Sequence, residues 1–361
     1  MTETRQNPAE LKALVEQRLA LEEKVQNETG ELSRDVSSEY ERAYTRLQNS
    51  LAHLFKSARD DSERITIMLE MMRILENRLV YLQNFIIDPT GDNKILAQLV
   101  TRFIDEVSES ARGVISPLEG LYYRAVAALY AGDVAKARDG FNAACASEES
   151  DEANDIKYKS YVILGNLSHV ESDFRQARQL HDDSIKYSHN NNVTAQALAF
   201  KALNAFALKD EDEALDLFEQ ALTLFDRNAP FFNSYFHRNS LLFCGSIHYS
   251  RKQYDQAESY YRQVLDVVEH QSYDYFDALS QLGRVCYSTG RFDDAAENFR
   301  RAIETHKFSE NEYLVDTYYW LARTHLKRND STAARPYLEK INSSDVKYDK
   351  RAQVEELLRQ V

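Results

Sequence analysis

Leu279-Ser-Gln-Leu-Gly-Arg-Val-Cys-Tyr-Ser-Thr-Gly-Arg-Phe-Asp-Asp-Ala-Ala-Glu-Asn-Phe299 is the stretch whose reading decides the fold. Leu279 and Leu282 precede a short polar segment, Tyr287-Ser-Thr-Gly-Arg-Phe292, and Phe292 and Phe299 follow it. Gly290 in that segment marks a chain reversal. The pattern predicts two antiparallel helices. Helices approach to about 8–10 Å only where their contact positions are small, and Gly283 and Ala295 supply one such position on each. The bulky residues around them fill the gap to whatever packs next.

Working outward, the same grammar recurs. Ala125, Gly165, Ala202, Gly245, Gly283 and Ala322 are each followed at a fixed distance by an alanine: Ala137, Ala177, Ala214, Ala257, Ala295 and Ala334. A further constant step leads to Phe141, His181, Phe218, Tyr261, Phe299 and Leu338. A single small-to-large pattern is common in helical cores, but six in series define a stacked helical-hairpin repeat.

In these residues the chain resembles the tetratricopeptide repeat family, whose signature carries a Leu-Gly pair, a Tyr, and then Ala and Phe at set offsets. Two departures stand out. The family's proline between repeats is missing, and successive reference residues lie about 40 apart rather than about 34. The extra length must fall between hairpins, because the internal offsets do not change. Long repeats of this kind are similar to those of kinesin light chains, spindle-orientation adaptors and the bacterial Rap-type peptide receptors. The resemblance implies an all-α, right-handed α–α superhelix, a tetratricopeptide solenoid. The expected organisation is an N-terminal helical region over 1–116, six hairpins over 117–345 and a closing helix over 346–361.

The resemblance also implies that the first helix of each hairpin lines a concave groove. Carried over to this chain, the family's groove offsets give three positions in each hairpin, among which Tyr122, Asn166, His169, Leu203, Phe206, Leu242, Tyr249, Arg284, Tyr287, Tyr319 and Arg323 are the expected partner-binding residues. The early part is apolar and aromatic, whereas Arg284 and Arg323 give the last two repeats a cationic lining. Leu164-Gly165-Asn166 is similar to the long-repeat adaptors, in which an asparagine at this place holds a bound peptide's main chain. The chaperone-type carboxylate clamp is not matched, since Tyr122, Val162, Ala199, Leu242, Ser280 and Tyr319 stand at its lysine sites.

Composition agrees with a helical chain. Gly is 10 and Pro is 5 in 361 residues, too few for a strand-and-turn architecture. No apolar run approaches the roughly 18–20 residues of a membrane span, and Met1 to Pro8 lacks the basic and apolar regions of a signal peptide. Three cysteines form no disulfide framework, so a cytoplasmic setting is expected. The net charge of −14 opposes a broad phosphate-binding face, and nucleic acid is not the expected partner.

The first 116 residues follow a different pattern. One helix reads from Pro8 to Gly30 and another from Glu31 to Phe55. A third runs from Ser62 to Ile87, with Met68, Leu69, Met72 and Leu75 at helical spacing. A fourth carries Ile95, Leu99, Phe103 and Val107. These helices either bundle and cap the repeats or pair as a coiled coil that supports self-association.

Chemical motifs are missing from the sequence: no Gly-rich phosphate loop, His-Glu-x-x-His pair or Cys-x-x-Cys site occurs. His181, at a position otherwise held by a large apolar or aromatic residue, and His248 and His325, three residues past their reference positions, read as packed rings. The expectation is a protein that is not an enzyme and that has no catalytic residue, cofactor or metal. It would act as a scaffold or adaptor, holding a peptide or helical segment of a partner, with an acidic group of that partner at the arginines, and so helping to assemble a larger complex. The alternative is a Rap-like regulator whose leader and repeats rearrange when a peptide binds.

Overall fold

The computed structural model describes residues 10–17, 20, 34–58, 63–64, 66–72, 116–148, 150–229, 234–268, 270, 272–306 and 310–361, and every regular element among them is helical. In the leader, Arg34–Ser57 forms helix α1, with Leu47, Leu51 and Leu54 buried along one stripe. Residues 66–72 are helical, and Met68, Met71 and Met72 are buried there. The fourth leader helix, read around Ile95 to Val107, lies outside the described residues.

Six hairpins follow: Pro117–Tyr130 with Val134–Cys145 (α2, α3), Asp151–Val170 with Phe174–Lys186 (α4, α5) and Asn191–Ala207 with Glu211–Leu224 (α6, α7) are the first three. Ser234–Ser250 with Tyr254–Val267 (α8, α9), Tyr273–Ser288 with Phe292–Thr305 (α10, α11) and Glu312–Lys327 with Ser331–Ser343 (α12, α13) are the last three. Arg351–Gln360 forms α14. The main break between compact units falls between Asn233 and Ser234, three hairpins on each side. Within each unit, the second helix of a hairpin packs on the first helix of the next.

All six hairpins turn in the same way. The seventh residue past each reference position has positive φ: Gly132 (82°), Ser172 (64°), Lys209 (68°), Lys252 (59°), Gly290 (79°) and Asn329 (59°). The following N–H then reaches back across the turn, as in Asp133 to the Ala128 carbonyl (2.9 Å) and Arg291 to the Cys286 carbonyl (2.9 Å). This is the six-to-one closure of a Schellman motif, which satisfies carbonyls left open at the helix end. Four turns close with a non-glycine residue in the left-handed region, so the closure does not depend on finding glycine there.

The residue after the left-handed one caps the second helix. Asp133, Asp173, Asp210 and Asp330 accept from the backbone N–H three residues on, satisfying one orphan donor each. Gln253 and Arg291 hold the same place without capping. Their side chains are engaged elsewhere: Gln253 Oε1 lies 2.7 Å from His248 Nδ1, and Arg291 Nη2 donates to Glu258 at 2.5 Å.

Packing explains the small residues. A Cβ placed on Gly283 would lie 2.5 Å from Phe299 Cε1, on Gly245 2.6 Å from Tyr261 Cε1, and on Gly165 2.6 Å from His181 Cε1. Each ring lies directly on the backbone of the facing helix. In the first hairpin, where alanine stands at the reference position, the close approach moves to Gly140, whose Cβ would meet Ala125 Cβ at 2.7 Å. The six alanines of the second helices are wholly buried.

His181 sits fully buried on Gly165, its ring stacked on Phe200 at 5.0 Å. Burial pushes its imidazole down to about 3, because the charged form has lost its water. It is a packed neutral ring, as the repeat grammar implies.

Neighbouring hairpins are also joined by charge near their turns. Arg138 pairs with Glu171 (2.8 Å), Arg178 with Glu213 (2.8 Å), Arg291 with Glu258 (2.5 Å) and Arg328 with Asp293 (3.0 Å). Most of these side chains are well solvated, so each pair contributes about 0–1 kcal/mol and serves register more than stability. A buried pair, Arg238 Nε to Asp274 at 2.6 Å, ties α8 to α10.

Two outcomes test this packing. Gly283→Val should lower stability by about 1–3 kcal/mol, the usual cost of overpacking, measured by denaturant unfolding of the full chain. The second concerns acid. Unfolded His181 takes up its proton near pH 6.5, whereas the folded ring resists to about 3. The stability it permits is therefore complete above pH 6.5 and declines as pH falls toward 3. His181→Phe should flatten that part of the stability–pH profile.

Candidate functional site

The first helices of the hairpins carry the residues that the groove offsets select, and the structure distributes them over both units. In the first unit, Asn166 and His169 are one turn apart on α4 and share a face. Asn166 is only 5% exposed, and its Oδ1 has no hydrogen-bond partner. His169 Nδ1 lies 2.7 Å from Asn204 Oδ1, while Asn204 Nδ2 donates to the Phe200 carbonyl at 2.9 Å. With its amide oriented in this way, Asn204 presents an acceptor to His169 Nδ1. Leu203 and Phe206 are half-buried on α6.

Tyr122, like Tyr319 at the same offset, is buried. At 1% exposure, with its ring edge-on to Phe141 at 5.8 Å, it packs inside the first hairpin and offers no open surface.

In the second unit the structure brings five of the six selected residues around a residue that the offsets passed over. Trp320 has Arg284 over its ring at 5.3 Å and Arg323 at 4.8 Å. Arg284 also lies over Tyr249 (5.3 Å), and Arg323 over Tyr287 (5.2 Å) and Tyr319 (5.5 Å). Leu242, the sixth, packs with Tyr249 against the buried Ala257, Tyr261, Leu282 and Val285.

Both arginines are half-buried, and neither pairs with a carboxylate among the described residues. Arg284 donates a single hydrogen bond, to Gln281 Oε1 at 3.3 Å, and its Nε is buried without a partner. Each guanidinium is held by aromatic faces, a contact of about 0.5–2 kcal/mol depending on solvation.

Beside Arg284 opens a cavity of about 360 Å³ between α10, α12 and the segment before α14. Asp277, Glu312, Asp316 and Asp349 line it together with Arg284 and Lys350. Burial pushes the Asp277 carboxyl up to about 6. Asp316 accepts three hydrogen bonds, from Lys350 (2.5 Å), Tyr348 (2.7 Å) and Trp320 Nε1 (3.0 Å). Burial and that carboxylate push the Tyr348 hydroxyl well above its ordinary range.

The C-terminal segment therefore does more than close the stack. A closing helix was expected from residue 346, but helix begins only at Arg351. Residues 346–350 are instead a loop, fastened by Arg351 to the carbonyls of Ser344 and Val346 (2.7 and 2.8 Å), that delivers Tyr348 and Lys350 to α12. Tyr319, 5% exposed, donates to Gln353 at 2.8 Å beneath this segment.

Asp277, Asp316, Trp320 and Lys350 were missed from sequence. For the two aspartates the signal was present: both stand six residues before a reference position. Trp320 and Lys350 join the site through contacts that the repeat register does not encode.

Two tetratricopeptide-repeat profiles match the chain, over residues 236–307 and 315–345. No curated protein sequence matches it. Among solved structures, the apo form of RapI is similar at 12% identity over 81% of this chain and 80% of that one, with a TM-score of 0.58. BtubC from P. vanneervenii is 15% identical over 68% of this chain and 94% of that one, TM-score 0.49. YrrB, described as a TPR protein with an unusual peptide-binding site, is 17% identical over 56% of this chain and 91% of that one, TM-score 0.43. The chain is thus an all-α hairpin-repeat protein. It carries tetratricopeptide repeats and is similar in fold to the Rap-type solenoids. Among the described residues no helix is long and apolar enough to cross a membrane.

Asp316→Ala tests how the C-terminal segment is held. Losing charge-assisted bonds of about 1.5–3 kcal/mol each should speed amide exchange in residues 346–360 by about tenfold or more, with α8 and α9 unchanged.

Proposed function

We propose that this protein is a non-catalytic cytoplasmic scaffold that holds a peptide or helical segment of a partner on the first-helix faces of its hairpins and so helps assemble a larger complex. The observation that carries this reading is the grouping of Arg284 and Arg323 on Trp320 without a carboxylate partner among the described residues. Half-burying a cation costs solvation, and in a chain of net charge −14 acidic side chains are plentiful. Leaving two guanidinium edges unpaired suits an acidic group supplied from outside.

Asn166 supports the same reading in the first unit. A buried amide oxygen without a donor forgoes about 1–3 kcal/mol, and a ligand main-chain N–H supplies the missing bond. That is the role which the resemblance to long-repeat adaptors implies for this position. The N-terminal helices bring self-association into the proposal, through faces other than the buried Leu47, Leu51 and Leu54.

A second reading, a peptide-responsive regulator, draws support from the RapI likeness, which spans 81% of the chain. That likeness is one of fold. Scattering separates the two readings: a regulator changes its dimensions when a captured peptide is added, and a static scaffold keeps them.

The direct experiment is affinity capture followed by mass spectrometry with the wild-type chain and the charge-reversed Arg284→Glu/Arg323→Glu chain. Capture of the principal partners should fall by about tenfold or more. An unchanged capture profile would remove the arginine pair from the proposal.

A further inference from the structure

Resting on that reading, we propose that the oxyanion received by Arg284 and Arg323 is a phosphomonoester, carried on a phosphorylated side chain of the partner protein, in preference to a carboxylate.

Charge is the first reason. The two guanidinium carbons lie 5.3 and 4.8 Å from the centre of the same Trp320 ring, so they are no more than about 10 Å apart. One carboxylate neutralises one of them. A phosphomonoester carries about −1.5 to −2 charge near neutral pH and offers three acceptor oxygens, enough for both.

Geometry is the second reason. Tyr249 and Trp320 lie against Arg284, while Tyr287, Tyr319 and Trp320 lie against Arg323. Aromatic contact fixes each planar group, so little conformational freedom remains to be lost when its N–H fork meets phosphate oxygens. Arg323 donates no hydrogen bond among the described residues, and Arg284 makes only the long one to Gln281.

Four acids, Asp277, Glu312, Asp316 and Asp349, line the cavity beside Arg284, and none forms an ion pair with either arginine. Asp316 is engaged by Lys350, Tyr348 and Trp320. Asp277 accepts from Gln281 at 3.1 Å and forms no ion pair with either arginine. Phosphodiesters of nucleic acid bring a single charge per group and would meet a chain of net charge −14, so a protein-borne monoester fits better.

Trp320 is the single tryptophan of the chain, which makes intrinsic fluorescence a reporter located at the site. The full chain is titrated at constant ionic strength with the N-acetyl amides of phosphoserine, glutamate and serine. Phosphoserine should shift the emission saturably, with an apparent Kd about tenfold below that of glutamate, and serine should give no response. Arg284→Gln/Arg323→Gln should weaken phosphoserine binding by about tenfold or more while keeping the wild-type helical circular dichroism. If that variant fails to fold, Arg323→Lys keeps the charge, loses the fork and should weaken phosphoserine binding more than glutamate binding. Glutamate binding as tightly as phosphoserine overturns the phosphate preference and leaves the acidic-peptide reading standing. No response to any probe, joined to an unchanged capture profile for the charge-reversed chain, removes both.

Discussion

The close approach of a ring to a helix backbone governs this structure. Phe299 on Gly283, Tyr261 on Gly245 and His181 on Gly165 leave no room for a Cβ, and this contact sets how near the two helices of a hairpin lie. Once that distance is fixed, the turn has little choice. It must reverse the chain over the same few residues each time, and the left-handed residue with its six-to-one hydrogen bond does so in all six hairpins. Register then follows, which is why the second-helix alanines are all buried.

The ring position tolerates different chemistry as long as the shape is kept. His181 holds it without a hydrogen bond to either ring nitrogen, and desolvation keeps the imidazole neutral. Its stacking on Phe200 and the close fit on Gly165 take the place of polar contacts. Elsewhere the aromatic residues perform a second task. On α8, α10 and α12, Tyr249, Tyr287, Tyr319 and Trp320 hold Arg284 and Arg323, which pair with no carboxylate among the described residues. An ion pair would have immobilised the same side chains but consumed their binding capacity. The C-terminal loop applies the opposite logic to Asp316, bringing two donors, Tyr348 and Lys350, to a carboxylate that already accepts from Trp320.

The fold was readable in the sequence because its decisive contact is local. The reference residue and its ring partner are separated by one turn and two half-helices, so spacing along the chain reports spacing in space, and the histidines at packing positions could be assigned on the same basis. The arginine pair was readable for a similar reason, since Arg284 and Arg323 occupy equivalent places in successive repeats. That Tyr122 is buried against Phe141 was not readable, because an offset specifies a direction from the helix axis and says nothing of what packs there. The left-handed turn residues at Ser172, Lys209, Lys252 and Asn329 carried no glycine to announce them.

What the sequence determined by itself was therefore the repeating unit: small residues that admit a ring, a reversal between them, and the periodic placement of side chains on the first-helix face. What only the tertiary structure decided was which side chains meet across repeats. Trp320 joins two arginines, and Lys350 and Tyr348 reach Asp316 from a loop beyond the last hairpin. The physical reason is range. Helix periodicity fixes neighbours within a few residues, whereas these contacts depend on side-chain direction and on the path of a segment outside the repeat register, which are settled only when the hairpins have packed.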